Sequence, residues 1–161
     1  MSRHRRVSTV VLALIAASAC GAPPPAPAFT SDDEAAIDGM FQQTVTDFRA
    51  GDFANWASRF SEDAVFHAPN QPVLIGRAAI QAWAEALPPI EAVEFTNVRV
   101  WGAGDVGWGV SDYALTLQGV PTDRGKQLGV VRRTNGTWQV VAVSYNTDLP
   151  LPAPAAAGSH P

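Results

Sequence analysis

Lys126–Asn146 reads KQLGVVRRTNGTWQVVAVSYN, and its period of two decides the fold class. Two runs rich in β-branched residues flank Asn135-Gly136, a dipeptide in which both residues tolerate positive φ. The segment therefore predicts a β-hairpin closed by a two-residue turn. Working back along the chain, Val106–Gln118 and Val93–Trp101 carry the same period. Gly102–Asp105 and Val120–Arg124 supply turn chemistry for their connections. Four long strands in succession predict an antiparallel meander.

Upstream of Pro88-Pro89 the spacing becomes helical. Gly76–Leu87 gathers Ile80, Trp83, Ala84 and Leu87 on one face, and a short helix gathers Phe53, Trp56, Ala57 and Phe60. The first helix opens at Ser31, with Glu34 completing a capping box. It repeats Ile37, Phe41, Thr44, Val45 and Phe48 at helical spacing and ends at Gly51. Between the helices, Ala64–Ala68 (AVFHA) is a short strand stopped by Pro69, and Val73–Ile75 is extended. The order is helix, helix, strand, helix, meander, an α+β class with three N-terminal helices.

Both ends fall outside this pattern. Arg3, His4, Arg5 and Arg6 precede the apolar run Val7–Ala17, which is too short to span a bilayer and has the flanks of an export signal. Ala17-Ser18-Ala19-Cys20 closes it and resembles the lipobox of bacterial lipoproteins, departing at Ala17, where that motif usually has Leu. The resemblance implies cleavage after residue 19 and acylation of Cys20, the single cysteine of the chain. The alternative is ordinary A-x-A cleavage leaving a free thiol and a soluble secreted or periplasmic protein. Residues 20–29 then form a proline-rich tether, residues 30–148 the domain, and residues 149–161 a disordered Pro/Ala-rich tail. The expected address is the cell envelope, with the bilayer as a partner through Cys20.

The full chain carries a net charge of −4. The signal segment removes three arginines and no acid, leaving −7, and no basic stripe interleaved with aromatics remains. Nucleic acid is excluded as a partner. One domain histidine and no domain cysteine predict no metal site. The glycines at 102, 104, 107 and 109 precede no helix and make no phosphate loop; no cofactor is expected.

Several pieces in order resemble the ketosteroid-isomerase-like, nuclear-transport-factor-like superfamily, close to its SnoaL-like branch. They are Ala50-Gly51-Asp52, Phe60-Ser61-Glu62-Asp63-Ala64-Val65-Phe66, Pro69, Gly76-Arg77-Ala78-Ala79-Ile80-Gln81-Ala82-Trp83, and Arg132–Val141. The resemblance implies a cystatin-like cone, a curved and mostly antiparallel sheet wrapped around the three helices, with a pocket in its open end. In the isomerase members an Asp on the first strand abstracts a carbon-bound proton, and a Tyr on the first helix stabilises the enolate. Those positions fall at Ala68 and Thr44 here. A methyl group accepts no proton, so that reaction is not expected.

Other residues could still supply chemistry. Asp112 stands mid-strand with Trp108, Val110 and Ala114, and an acid among apolar neighbours suggests a base or acid with a raised pKa; an exposed outer-face Asp is the alternative. His67 suits a general base by its ordinary pKa, yet alternation turns it away from Phe66 and Ala68. Candidate ligand contacts are Thr44, Phe66, Ala68, Asn70, Trp83, Trp108, Tyr113, Tyr145 and Asn146.

In the last hairpin both alternating sets are apolar: Leu128, Val130, Trp138, Val140 and Ala142 against Val131, Val141, Val143 and Tyr145. A sheet covered on one side should alternate with polar residues, so a homodimer is expected. The sequence thus points to an envelope-anchored pocket for a small apolar molecule. The alternatives are a small lyase, isomerase or cyclase acting through Asp112, and a protein-interaction module.

Overall fold

The computed structural model describes residues 27–150; the signal segment, Cys20 and the tail from residue 151 lie outside them. The elements are α1 (Ser31–Ala50), α2 (Phe53–Ser58), β1 (Phe60–His67), β2 (Leu74–Ile75), α3 (Arg77–Glu85), β3 (Ile90–Ala103), β4 (Val106–Leu117), β5 (Asp123–Thr134) and β6 (Thr137–Thr147). They form one curved six-stranded sheet in the order β2-β1-β6-β5-β4-β3. From β3 to β6 the pairing is antiparallel, as the meander required, and Asn135 and Gly136 take positive φ in the turn. β1 then adds to β6 in parallel, a pairing that alternation cannot reveal. It extends β1 back to Phe60, four residues before the expected start.

Local chemistry sets the helix ends with one shift. The capping box is Thr30 with Asp33 rather than Ser31 with Glu34: the Thr30 hydroxyl accepts from the Asp33 N–H, and the Asp33 carboxylate accepts from the Thr30 N–H at 3.0 Å. Tertiary contacts select this register, because the same carboxylate accepts from Arg133 at 2.6 Å and from the Trp138 indole at 3.2 Å. At the other end Gly51 takes φ 68° and receives the helix in a left-handed cap.

Two apolar clusters fill the space between helices and sheet. One holds Phe48, Trp56, Phe60, Phe66, Ile80, Val93 and Val143; the other holds Ile37, Phe41, Val100 and Val131. Ile37 and Ile80 are fully buried, each worth roughly 1.5–3 kcal/mol of transfer free energy. Phe29, the last residue of the expected tether, packs edge-on to Trp138 and joins the second cluster.

Glycines let α1 lie directly on β4. A Cβ at Gly107 would meet Ile37 at 2.6 Å, and one at Gly109 would meet Phe41 at 2.8 Å. The inward row of β4 is thus Gly107, Gly109, Ser111, Tyr113, all buried, while Trp108, Val110 and Asp112 point outward. A bulge in β6 corrects the expected faces of the last hairpin. Val130 pairs with Ala142 but Val131 pairs with Val140, so the surplus Val141 brings Trp138 and Val140 onto the same inner face as Val143 and Tyr145.

Candidate functional site

A cavity of about 110 Å³ lies between the two clusters, under the curve of the sheet. α1 contributes Ile37, Phe41, Thr44 and Phe48, and the helix that follows contributes Trp56 and, just past its end, Arg59. Phe66, Trp83 and Phe95 close one wall, and Gly109, Tyr113, Gln127, Gly129, Val131 and Tyr145 form the sheet floor. The aromatic walls are mutually locked edge to face: Phe66 meets Tyr145 at 5.7 Å, and Tyr145 meets Tyr113 at 5.4 Å and 90°.

The polar groups on this lining have distinct roles. Arg59 is neutralised: its Nη2 lies 2.6 Å from Asp47 Oδ2, both atoms are buried, and neither has another hydrogen-bond partner. Burial pushes the Asp47 carboxyl up. The hydrogen bonds from Gln43, Asn55 and Arg59, with the guanidinium charge, outweigh that and hold it below its ordinary value. The Tyr113 hydroxyl donates to Asp123 at 2.8 Å and lies 3.2 Å from the Asn146 carbonyl. Burial, then the neighbouring Asp123, raises both the Tyr113 and Tyr145 phenols well above their usual value. They stay protonated and act as donors, never as bases, at any physiological pH. Thr44 has its hydroxyl engaged by the Met40 carbonyl at 2.9 Å, and it presents mainly its methyl.

The structure brings together five of the expected ligand contacts: Thr44, Phe66, Trp83, Tyr113 and Tyr145 line the cavity. It separates the rest. Asp112 is on the outer face, where the Asn97 amide donates to it at 2.6 Å from the bulge of β3. Asp112 shares a face with Trp108 and Val110, and that face points outward because glycines occupy the inner positions. Asp112 is therefore corrected from a cavity acid to a surface carboxylate, and Trp108 goes with it. His67 is exposed on the far side of β1 from Phe66, as alternation required. Ala68 is buried in the first cluster and does not reach the lining. Asn70 is exposed in a turn at φ 56°, and Asn146 is exposed, its amide donating to Asp148 at 3.3 Å.

Two polar lining residues, Gln127 and Arg59, are not among the contacts expected from the sequence. Gln127 is the polar member of an inner row otherwise made of Gly125, Gly129 and Val131, and strand parity was the available signal. Arg59 could have been suspected from Asp47, an acid beside Phe48 on the apolar stripe of α1. No group of three or more His, Cys, Asp or Glu side chains capable of holding a metal occurs among the described residues. None of the described helices is long and apolar enough to cross a membrane.

A family model described as a SnoaL-like domain matches residues 28–142. Among solved structures, a protein of unknown function with a cystatin-like fold from Nostoc punctiforme superposes with a TM-score of 0.67 at 16% identity, covering 78% of this chain and 98% of that one. A ketosteroid isomerase-like protein from Erwinia carotovora superposes at 0.64 with 19% identity, covering 75% and 100%. An NTF2-like protein of unknown function from Pseudomonas putida superposes at 0.65 with 18% identity, covering 72% and 87%. At such identities the superpositions establish the fold and nothing beyond it. A search of curated protein sequences finds no significant match.

Proposed function

The chain belongs to the SnoaL-like domain family, and from that premise we propose that its cone is a binding pocket for a small apolar molecule, displayed at the cell envelope through acylated Cys20. The lining of the cavity carries this reading. Its walls are aromatic and aliphatic, no Asp, Glu or His contributes to them, and the Arg59 charge is spent on Asp47. An apolar enclosure with a few fixed neutral polar groups is the usual form of a small-ligand site. A proton-abstracting enzyme needs a base within reach of the substrate. The matching position carries Ala68, and Asp112 faces the opposite side of the sheet.

The envelope address rests on the sequence of residues 1–20. The same protein is proposed to pair with a second copy through the outer face of its sheet. There Trp101 and Trp108 are 42% and 38% exposed and cross-strand partners, with Val106 and Leu128 also exposed nearby.

Native mass spectrometry of the chain from Cys20 onward, produced in a bacterial host, tests the pocket. The expected spectrum shows a reproducible extra mass, released by mild activation and identifiable as an apolar compound. Protein that emerges empty, and that fails to take up small aromatic compounds added in excess, would sink the reading.

A further inference from the structure

Two glycines face the inner side of the sheet at paired positions, Gly109 on β4 and Gly129 on β5. They differ in what stands above them. A Cβ at Gly109 would collide with Phe41, whereas a Cβ at Gly129 would have nothing within 4 Å. Gly129 is therefore roofed by cavity rather than by helix. With Val143 as its partner on β6, it forms the floor of the open space.

One step along the same face runs a row of polar side chains, Ser111, Gln127 and Tyr145, in direct register across β4, β5 and β6. Directly opposed side chains have Cβ atoms about 4.5–5.5 Å apart, so Gln127 stands next to both Ser111 and Tyr145. The Ser111 residue is 4% exposed, and its hydroxyl is buried without a hydrogen-bond partner. Among the described residues the Gln127 amide and the Tyr145 hydroxyl also make no hydrogen bond to protein, although both line the cavity. By contrast the nearby Tyr113 hydroxyl is fully occupied by Asp123 and Asn146. A buried orphan hydroxyl costs about 1–3 kcal/mol, and a fold keeps such a group where something else completes it.

Resting on the pocket reading above, we propose that the ligand is a single-ring molecule bearing one neutral oxygen, a hydroxyl or a carbonyl. Its ring lies over Gly129, and its oxygen meets the Gln127 and Tyr145 end of the polar row, the part that lines the cavity. The size follows from the cavity: about 110 Å³ is the scale of one ring, since an apolar cavity of about 150 Å³ accommodates benzene. The neutrality follows from the row, which offers one amide and two hydroxyls and no charge. Tyr145 can donate to a carbonyl or hydroxyl oxygen, and Gln127 can donate or accept. A ligand without the oxygen leaves these groups unpaired, and that is what discriminates against it.

Toluene and benzyl alcohol, which differ by one hydroxyl, are the probes, titrated into the full chain by ligand-observed NMR. Benzyl alcohol is expected to bind at least tenfold more tightly than toluene. Gln127→Leu and Tyr145→Phe should each shrink that preference at least threefold, weakening benzyl alcohol and relieving the penalty on toluene, and Gly129→Val should abolish binding of both probes. Equal affinities in the unmodified protein would overturn the polar row and leave the pocket standing. Unaltered binding of both probes to the Gly129→Val chain would overturn the proposed location. Absence of binding by either probe would overturn the pocket reading and this inference together.

Discussion

Asp47 illustrates how a single side chain in this protein is held by several partners at once. Gln43 and Asn55 donate to its Oδ1 at 2.8 and 2.9 Å, and Arg59 pairs with its Oδ2. Asp47→Ala would strand the partly buried Arg59 guanidinium, whose Nη2 is buried, beside an apolar cavity, and a loss of about 3 kcal/mol in urea unfolding at pH 7 is expected. The pH dependence has a definite sign. The folded carboxyl lies below its ordinary value, so it binds protons less readily folded than unfolded. Its contribution is complete above about pH 4, the ordinary carboxyl value, and fades as pH falls through the lowered folded value. Asp33 is also lowered, by the Thr30 N–H first, and adds to the same acid limb. Asp47→Asn should flatten that limb; an unchanged slope between pH 5 and pH 2.5 would show that the carboxyl is not held as the geometry requires.

At the scale of elements, the seating of α1 on β4 governs which strand face becomes the interior. The contact is backbone against side chain, with Phe41 and Ile37 occupying the space that inward side chains would need. Gly109→Ala should cost about 1–3 kcal/mol through overpacking. Gly129→Ala, on the neighbouring strand with open space above it, should change stability by less than about 0.5 kcal/mol. Equal losses for the two in paired urea titrations would contradict the difference in their surroundings. The bulges act at this scale too. Val141 in β6 resets parity so that four large side chains converge on one face, and Asn97 in β3, at φ 54°, turns its amide outward to Asp112. Neither bulge has a glycine or proline to announce it, so strict alternation placed Trp138 and Val140 on the wrong face relative to Val143.

For the whole molecule, helices cover one face of the sheet and leave the other apolar along Trp101, Trp108, Val110, Leu128 and Val130. Arg99 stacks on Trp101 at 5.5 Å, which gives the patch a charged margin. Introducing a charge at its centre, Trp108→Glu, should convert a dimer to a monomer in analytical ultracentrifugation without lowering the unfolding midpoint of the isolated protomer by more than the usual surface increment. A monomer in the unmodified protein at micromolar concentration would remove the second copy as the cover for this face.

The sequence by itself determined the class of every element, their order, the Asn135-Gly136 turn and the Gly51 cap. These depend on local periodicity and on backbone preferences that a residue carries wherever it sits. The faces were decided only in three dimensions. Whether the Trp108–Asp112 row or the Gly109–Ser111 row faces the helices depends on how closely α1 approaches, and close approach is possible only over glycine. Alternation identifies which residues travel together but not which side is covered, because coverage belongs to the element packed on the strand and not to the strand. For that reason Asp112 left the site, Gln127 entered it, and the parallel joining of β1 to β6 brought Phe66 beside Tyr145 from positions far apart in the chain.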